Sequence, residues 1–166
     1  MARIELPPGE DSEAVRALSL VRSDLRDAII AYDRAVGRSK LDRRLHELVR
    51  MRVAQINQCV ICLNWRNPTW CADETLLGGV DRADELPGYT DAERVALEYT
   101  TRFCTASTDI DDGLLVRLAQ HLEPHEIIEL TLIIGKYLAL GRFNQVLGFD
   151  QLCNTVNDES GALITT

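Results

Sequence analysis

Positive charge, aromatic rings, histidine and long apolar runs are all scarce in this chain. Its 166 residues carry 18 Lys and Arg against 26 Asp and Glu, a net charge of −8 with a pI near 4.9. No cluster of basic side chains is large enough to hold a phosphate backbone, which argues against nucleic acid as a partner. The longest apolar stretch, from Ile127 to Leu140, is about 14 residues and contains Lys136. That is short for a membrane span and reads as a buried helix, so no membrane is expected. The opening residues, MARIELPPGEDSE, contain no apolar core of a secretory signal, and the expected location is the cytoplasm. The three histidines, His46, His121 and His125, lie far in sequence from the cysteine pair at 59 and 62. With no second C-x-x-C, a metal centre at the cysteine pair lacks ligands, and no metal is expected. Neither strand alternation nor a repeat of fixed period is evident.

What is present is a helical, globular composition, 46% hydrophobic and 27% charged, long enough for one domain with a real core. The expected fold is all-α, a single domain over residues 1–166 with six to eight helices. Pro7, Pro8 and Gly9 make residues 1–10 an irregular arm. Asp11 or Ser12 caps a first helix whose stripe runs through Val15, Leu18, Leu25, Ile29, Tyr32 and Val36, ending at Gly37. A second helix starts near Leu41–Asp42 and puts Leu45, Leu48, Val49, Val53 and Ile56 on one face. Arg52 falls inside that stripe and calls for an acidic partner or an interface. Asn57-Gln58 is a break, and a third helix beginning at Cys59 carries Ile61, Cys62, Trp65 and Arg66 until Asn67-Pro68. Residues 69–77 read as a further short helix. Thr90 to Glu93 is a capping box, placed before Ala92, Val95, Ala96, Tyr99 and Phe103. Leu115, Leu118, Ala119 and Leu122 form the next stripe. Pro124 opens a helix, apolar almost all round, that should be central or an oligomer contact. The tail, 149–166, is weakly patterned.

The chemistry concentrates in Glu47–Arg66, ELVRMRVAQINQCVICLNWR. Five cysteines at irregular spacing in a reduced compartment are not a disulfide framework, but Cys59 and Cys62 form a C-x-x-C. One helical turn brings their sulfurs together, and unpaired N–H groups at a helix start stabilise a thiolate. One cysteine would attack and the other would resolve the sulfenic acid or mixed disulfide. If the chain reverses at Asn57-Gln58, residue 66 returns to positions 47–50, so Glu47 and Arg66 are expected to meet. A carboxylate there could pass protons toward the cysteines. Cys71, Cys104 and Cys153 read as packing residues; Trp65 and Trp70 read first as core or interface packing and second as the lining of a substrate pocket. Two small core residues are the plainer reading of the cysteine pair, and an ion pair with Arg66 that of Glu47.

The stretch LDRRLHELVRMRVAQINQCVICLNWR resembles the carboxymuconolactone decarboxylase-like superfamily in its alkylhydroperoxidase D-like branch. That branch's pattern is a Glu, eleven residues, then C-x-x-C-x-x-x-H, matched by Glu47, Cys59 and Cys62. TDAERVALEYT and EIIELTLIIGKYLALGRFNQVLG resemble later helices of the family, so the likeness spans about residues 40–148. The resemblance implies an all-α fold assembled as homotrimers or homohexamers. It implies thiol-dependent reduction of hydroperoxides with no organic cofactor and an external thiol or dithiol as reductant. Cys62 would attack the peroxide, Cys59 would resolve it, and Glu47 would belong to a proton relay. The family histidine is Arg66 here, and Ile61 stands where a second histidine is often found. An arginine holds its charge and cannot act as a base, so Arg66 either stabilises a thiolate or locks Glu47. Two other readings stay open: a redox-sensing or non-enzymatic helical oligomer with a vestigial dithiol, and a carboxymuconolactone decarboxylase, against which the cysteine pair argues.

Overall fold

The computed structural model describes residues 2–67, 70 and 73–149, together with the backbone of 155–157 and 163–165. Among them are eight α-helices, and the all-α expectation holds: α1 Glu13–Ser19, α2 Ser23–Gly37, α3 Arg43–Asn57, α4 Val60–Asn64, α5 Glu74–Gly78, α6 Asp91–Thr105, α7 Asp112–Ala119 and α8 Pro124–Leu147. Single 3₁₀ turns occupy Val80–Arg82 and Ser107–Asp109. The tail departs from the helical expectation, because Thr155–Asn157 (β1) and Leu163–Thr165 (β2) pair antiparallel, Val156 opposite Ile164. Each strand centres on β-branched residues, which suit a pleated backbone better than a helix.

Local signals set most helix ends. Ser12, Asp42, Asp73 and Asp111 each cap a helix with a side-chain oxygen on a backbone N–H. Thr90 and Glu93 form the reciprocal capping box expected at the start of α6, and Pro124 sits in the first turn of α8. Gln58 takes the left-handed conformation, φ 52°, and ends α3 where the break was expected.

Three boundaries differ. The first helix is two, because Arg22 is extended and Ser23-Asp24 starts a new one. α4 stops at Asn64, with Trp65 already extended, so Trp65 and Arg66 lie beyond it. The fifth helix starts at Glu74; positions 69, 71 and 72 of the expected span lie outside the described residues.

α3 is the central strut. Leu45, Val49 and Val53 pack with Val95, Ala96 and Tyr99 of α6 and Leu130, Ile133 and Ile134 of α8, and α7 adds Leu114 and Leu118. α7 therefore turns Leu114 inward, while Leu115 is 39% exposed. On another face of α3, Leu48, Met51 and Ala54 pack with Leu77, Val80, Tyr89 and Leu97, with Cys62 and Leu63 against them. Arg52, expected to have an acidic partner or to lie at an interface, donates to two uncharged acceptors, Thr101 Oγ1 at 2.8 Å and Gln55 Oε1 at 3.2 Å. α2 packs along α8 with Val36 buried, but Leu25 and Tyr32 of its stripe stay exposed. Among the described residues no helix is long and apolar enough to cross a membrane.

Candidate functional site

Cys59 and Cys62 are disulfide-bonded, with Cα atoms 5.2 Å apart. The local chain explains why. Gln58 turns the backbone sharply after α3, Cys59 becomes the N-cap of α4, and Cys62 follows one turn later. The Cys59 sulfur accepts the Cys62 N–H at 3.4 Å. The two sulfurs differ in access: Cys59 is fully buried, while Cys62 is partly exposed and lines a cavity of about 390 Å³.

Under α4 lies a buried ion pair. Glu47 and Arg50, one turn apart on α3, have side chains 1% and 3% exposed and join through two bonds of 2.6 and 2.7 Å. The same guanidinium donates to the Cys62 carbonyl at 2.5 Å and the Trp65 carbonyl at 3.1 Å, and it lies 5.0 Å from the Trp65 ring centroid. Arg50 thereby fills the carbonyl end of α4 and ties the cysteine segment to α3. A bidentate pair of this kind is strong when dry, because solvent does not screen it.

The expected meeting of Glu47 with Arg66 is replaced by two separate pairs. Arg50 grips Glu47, and Arg66 turns outward to Glu74, with bonds of 2.7 and 2.8 Å. Arg66 also donates to the carbonyls of Leu63 and Trp65, at 2.6 and 2.8 Å. The physical reason is length: α4 is five residues long, too short to run back beside the start of α3. Glu74 is held below its usual carboxylate range by the Arg66 bond.

Sequence reasoning missed the opposite wall. Lys136 and Tyr137 of α8 line the cavity with Asp33 and Asn57. Lys136 Nζ reaches Asp33 Oδ1 at 2.5 Å and lies 3.9 Å from the Tyr137 ring centroid. His46, 2% exposed, shares a 3.1 Å hydrogen bond between its Nε2 and the Tyr137 hydroxyl and packs 4.3 Å from the Trp70 ring. Burial, then the charges of Lys136 and Arg50, push its pKa down to about 4, so it is neutral at pH 7. Burial also pushes the Tyr137 hydroxyl up, which keeps it a donor. Asn57 Nδ2 donates to the Tyr137 carbonyl at 3.1 Å and the Leu138 carbonyl at 3.4 Å. A Cβ on Gly141 would collide with that amide, so glycine permits the close approach of α3 to α8. Trp65 and Trp70, expected first as packing residues, stand edge to face at 6.1 Å and both line the cavity. The one available signal was the Glu47/Arg50 spacing, an acid and a base one turn apart and off the apolar stripe.

Cys104 is buried, and burial pushes its thiol up to about 11, which makes it inert at neutral pH. Cys71 and Cys153 lie outside the described residues. Among the described residues no three His, Cys, Asp or Glu side chains converge on a point that could hold a metal.

Fold and site together describe a helical bundle that carries a disulfide at the wall of an aromatic cavity, and solved structures share the helical fold. The chain superposes on an Agrobacterium tumefaciens protein of unknown function, named as a candidate AhpD antioxidant-defence protein. The TM-score is 0.69 at 21% identity, over 83% of this chain and 96% of that one. A debrominase, Bmp8, solved as a cysteine-to-alanine variant with 2,3,4-tribromopyrrole, superposes with a TM-score of 0.71 at 16% identity, over 84% of this chain and 76% of that one. The fold is therefore alkylhydroperoxidase D-like. In sequence, the chain is 33% identical over 115 residues to the uncharacterised protein YnjA of Escherichia coli, covering 66% of this chain. The match spans 62% of that protein, less than two thirds of its length. No family profile matches the chain.

Proposed function

We propose that the protein is a thiol-dependent oxidoreductase that reduces organic hydroperoxides through the Cys59–Cys62 dithiol. The observation that carries this reading is the asymmetry of the pair: Cys62 opens on the cavity and Cys59 is sealed behind it. The accessible Cys62 thiolate attacks the outer peroxide oxygen. The S–O bond forms, the O–O bond breaks, and the alkoxide takes a proton and leaves as an alcohol. The Cys59 thiol then attacks the Cys62 sulfenic acid, releases water and closes the disulfide seen in the structure. An external dithiol reopens it by exchange. Glu47 acts through Arg50, whose guanidinium holds the Cys62 and Trp65 carbonyls; in this reading Glu47 and Arg50 are positioning residues, and Arg66 closes the end of α4. The exposed stripe of α2, with Ile128 and Leu132 of α8, is the surface proposed for assembly into trimers or hexamers.

Stopped-flow oxidation of the reduced protein by cumene hydroperoxide tests the reading. Thiol loss should be at least about a hundredfold faster than for a free thiol, and Cys62→Ser should abolish it. Cys59→Ser should still consume one peroxide and stall at the sulfenic acid. Oxidation no faster than a free thiol would replace the enzyme with the redox-sensing reading. Glu47→Gln separates positioning, a loss equal at every pH, from a proton relay, a loss that reshapes the pH profile.

Reductive debromination is the second reading. It is favoured by the tribromopyrrole-bound neighbour and by the Trp65, Trp70 and Tyr137 side chains that wall this cavity. An aryl bromide and the dithiol would yield the arene, bromide, a proton and the disulfide, and bromide release from tribromopyrrole would reveal it.

A further inference from the structure

Lys136 is difficult to explain as a packing residue. It sits in the middle of α8 with its side chain 9% exposed. Removing an ammonium from water is costly unless a partner compensates. Its counter-ion, Asp33, stands at 54% exposure, so solvent weakens the pair and the carboxylate can swing into water at little cost. The ammonium remains at the cavity wall above the Tyr137 ring. The other cation of the cavity, Arg50, is already committed to the buried Glu47. Lys136 is thus the cation whose partner is replaceable, and it faces an aromatic chamber lined by Trp65, Trp70 and Tyr137, which Cys62 lines as well.

We infer that the cavity takes an anionic, largely apolar ligand whose carboxylate displaces Asp33 from Lys136 and whose body lies along the tryptophans. Resting on the peroxidase reading, this makes the substrate class of Cys62 a hydroperoxide that carries a carboxylate. A neutral hydroperoxide would leave the Lys136–Asp33 pair closed and gain apolar burial alone.

Both tryptophans of the chain line the cavity, so intrinsic fluorescence reports on its occupancy directly. Titrate the wild type, Lys136→Met and Asp33→Asn with sodium decanoate and with 1-decanol, neither of which oxidises a thiol. Decanoate should bind the wild type at least about tenfold more tightly than decanol. Lys136→Met should erase that preference while decanol affinity stays level, which shows that the chamber is intact. Asp33→Asn should tighten decanoate severalfold and leave decanol unchanged. In turnover, Lys136→Met should slow linoleic acid hydroperoxide and spare its methyl ester. Equal binding of the two probes by the wild type, a preference that survives Lys136→Met, or no fluorescence response to either probe would overturn the inference. Rapid reaction with cumene hydroperoxide and no decanoate preference would overturn it and keep the peroxidase reading. Decanoate binding through Lys136 without peroxide reactivity would keep the ligand class and overturn the peroxidase reading.

Discussion

Arg50 and Lys136 face the same cavity from opposite helices, and both are buried. Arg50 on α3 has a partner as buried as itself, two further bonds to its neighbourhood, and an aromatic ring beside it. Lys136 on α8 has an aromatic ring and a partner half in water. Equal burial of two cations therefore says little about their roles; the burial of the partner decides. A dry, fully bonded pair is architecture, because breaking it strands a charge. A pair with one member in solvent can exchange that member for something else.

The largest expected effect tests the architectural half. Arg50→Met leaves Glu47 buried without a counter-charge and frees two carbonyls at the end of α4, and should cost about 3–5 kcal/mol in urea unfolding at pH 7. The double variant Glu47→Leu with Arg50→Met should recover most of that loss. A single-variant loss under about 1 kcal/mol would mean that the pair is wetter than its geometry says.

His46 senses both cations. Its pKa in the folded protein is about 4, against an ordinary 6.5. Across that interval the unfolded chain takes up a proton that the folded protein refuses. Stability is thus complete above about pH 6.5 and falls by about 3 kcal/mol as the pH drops toward 4. His46→Phe should flatten this part of the acid limb. Lys136→Met should narrow the window by letting His46 protonate at higher pH. An acid limb unchanged in both variants would place the titration elsewhere.

The joint that brings α3 to α8 should respond next. Gly141→Ala forces Asn57 off the α8 carbonyls and should cost about 1–2 kcal/mol even after the helix-propensity gain. At Gly135 an added Cβ meets nothing within 4 Å, and Gly135→Ala should stabilise by about 0.5–1 kcal/mol. Matching thermal shifts of the same sign would show that the close approach at Gly141 is not needed. Smallest of all, Lys136→Met should change stability by under about 1 kcal/mol, because it removes a costly buried charge and leaves Asp33 in water. A loss as large as that of Arg50→Met would end the distinction between the two cations.

Much of the scaffold was legible because its signals are local. The start of α3 near Asp42, the Thr90–Glu93 box and Pro124 in a first turn each depend on residues within four positions, and all appear as expected. The alternating faces of α3 and α6 were equally plain, since a helical period needs no knowledge of the partner. The misreadings begin where an interaction crosses elements. Arg66 was expected on a helix running back to Glu47, but Arg50 and Arg66 both serve carbonyls at the end of α4, which stops short. Leu115 and Leu114 compete for the core with equal hydrophobicity, and only the docking of α7 on α6 selects Leu114.

By itself, the sequence determined the helical class, the caps, the sharp reversal at Gln58 and the cysteine spacing that lets one turn close a disulfide. These follow from propensity, periodicity and the reach of a short side chain. Tertiary structure alone decided which arginine holds Glu47, which cysteine opens on the cavity, that Trp65 and Trp70 line it, and that Lys136 faces Asp33 over the Tyr137 ring. Those outcomes depend on burial and on partners up to about a hundred residues away in the chain, and burial sets the worth of every charge in the site.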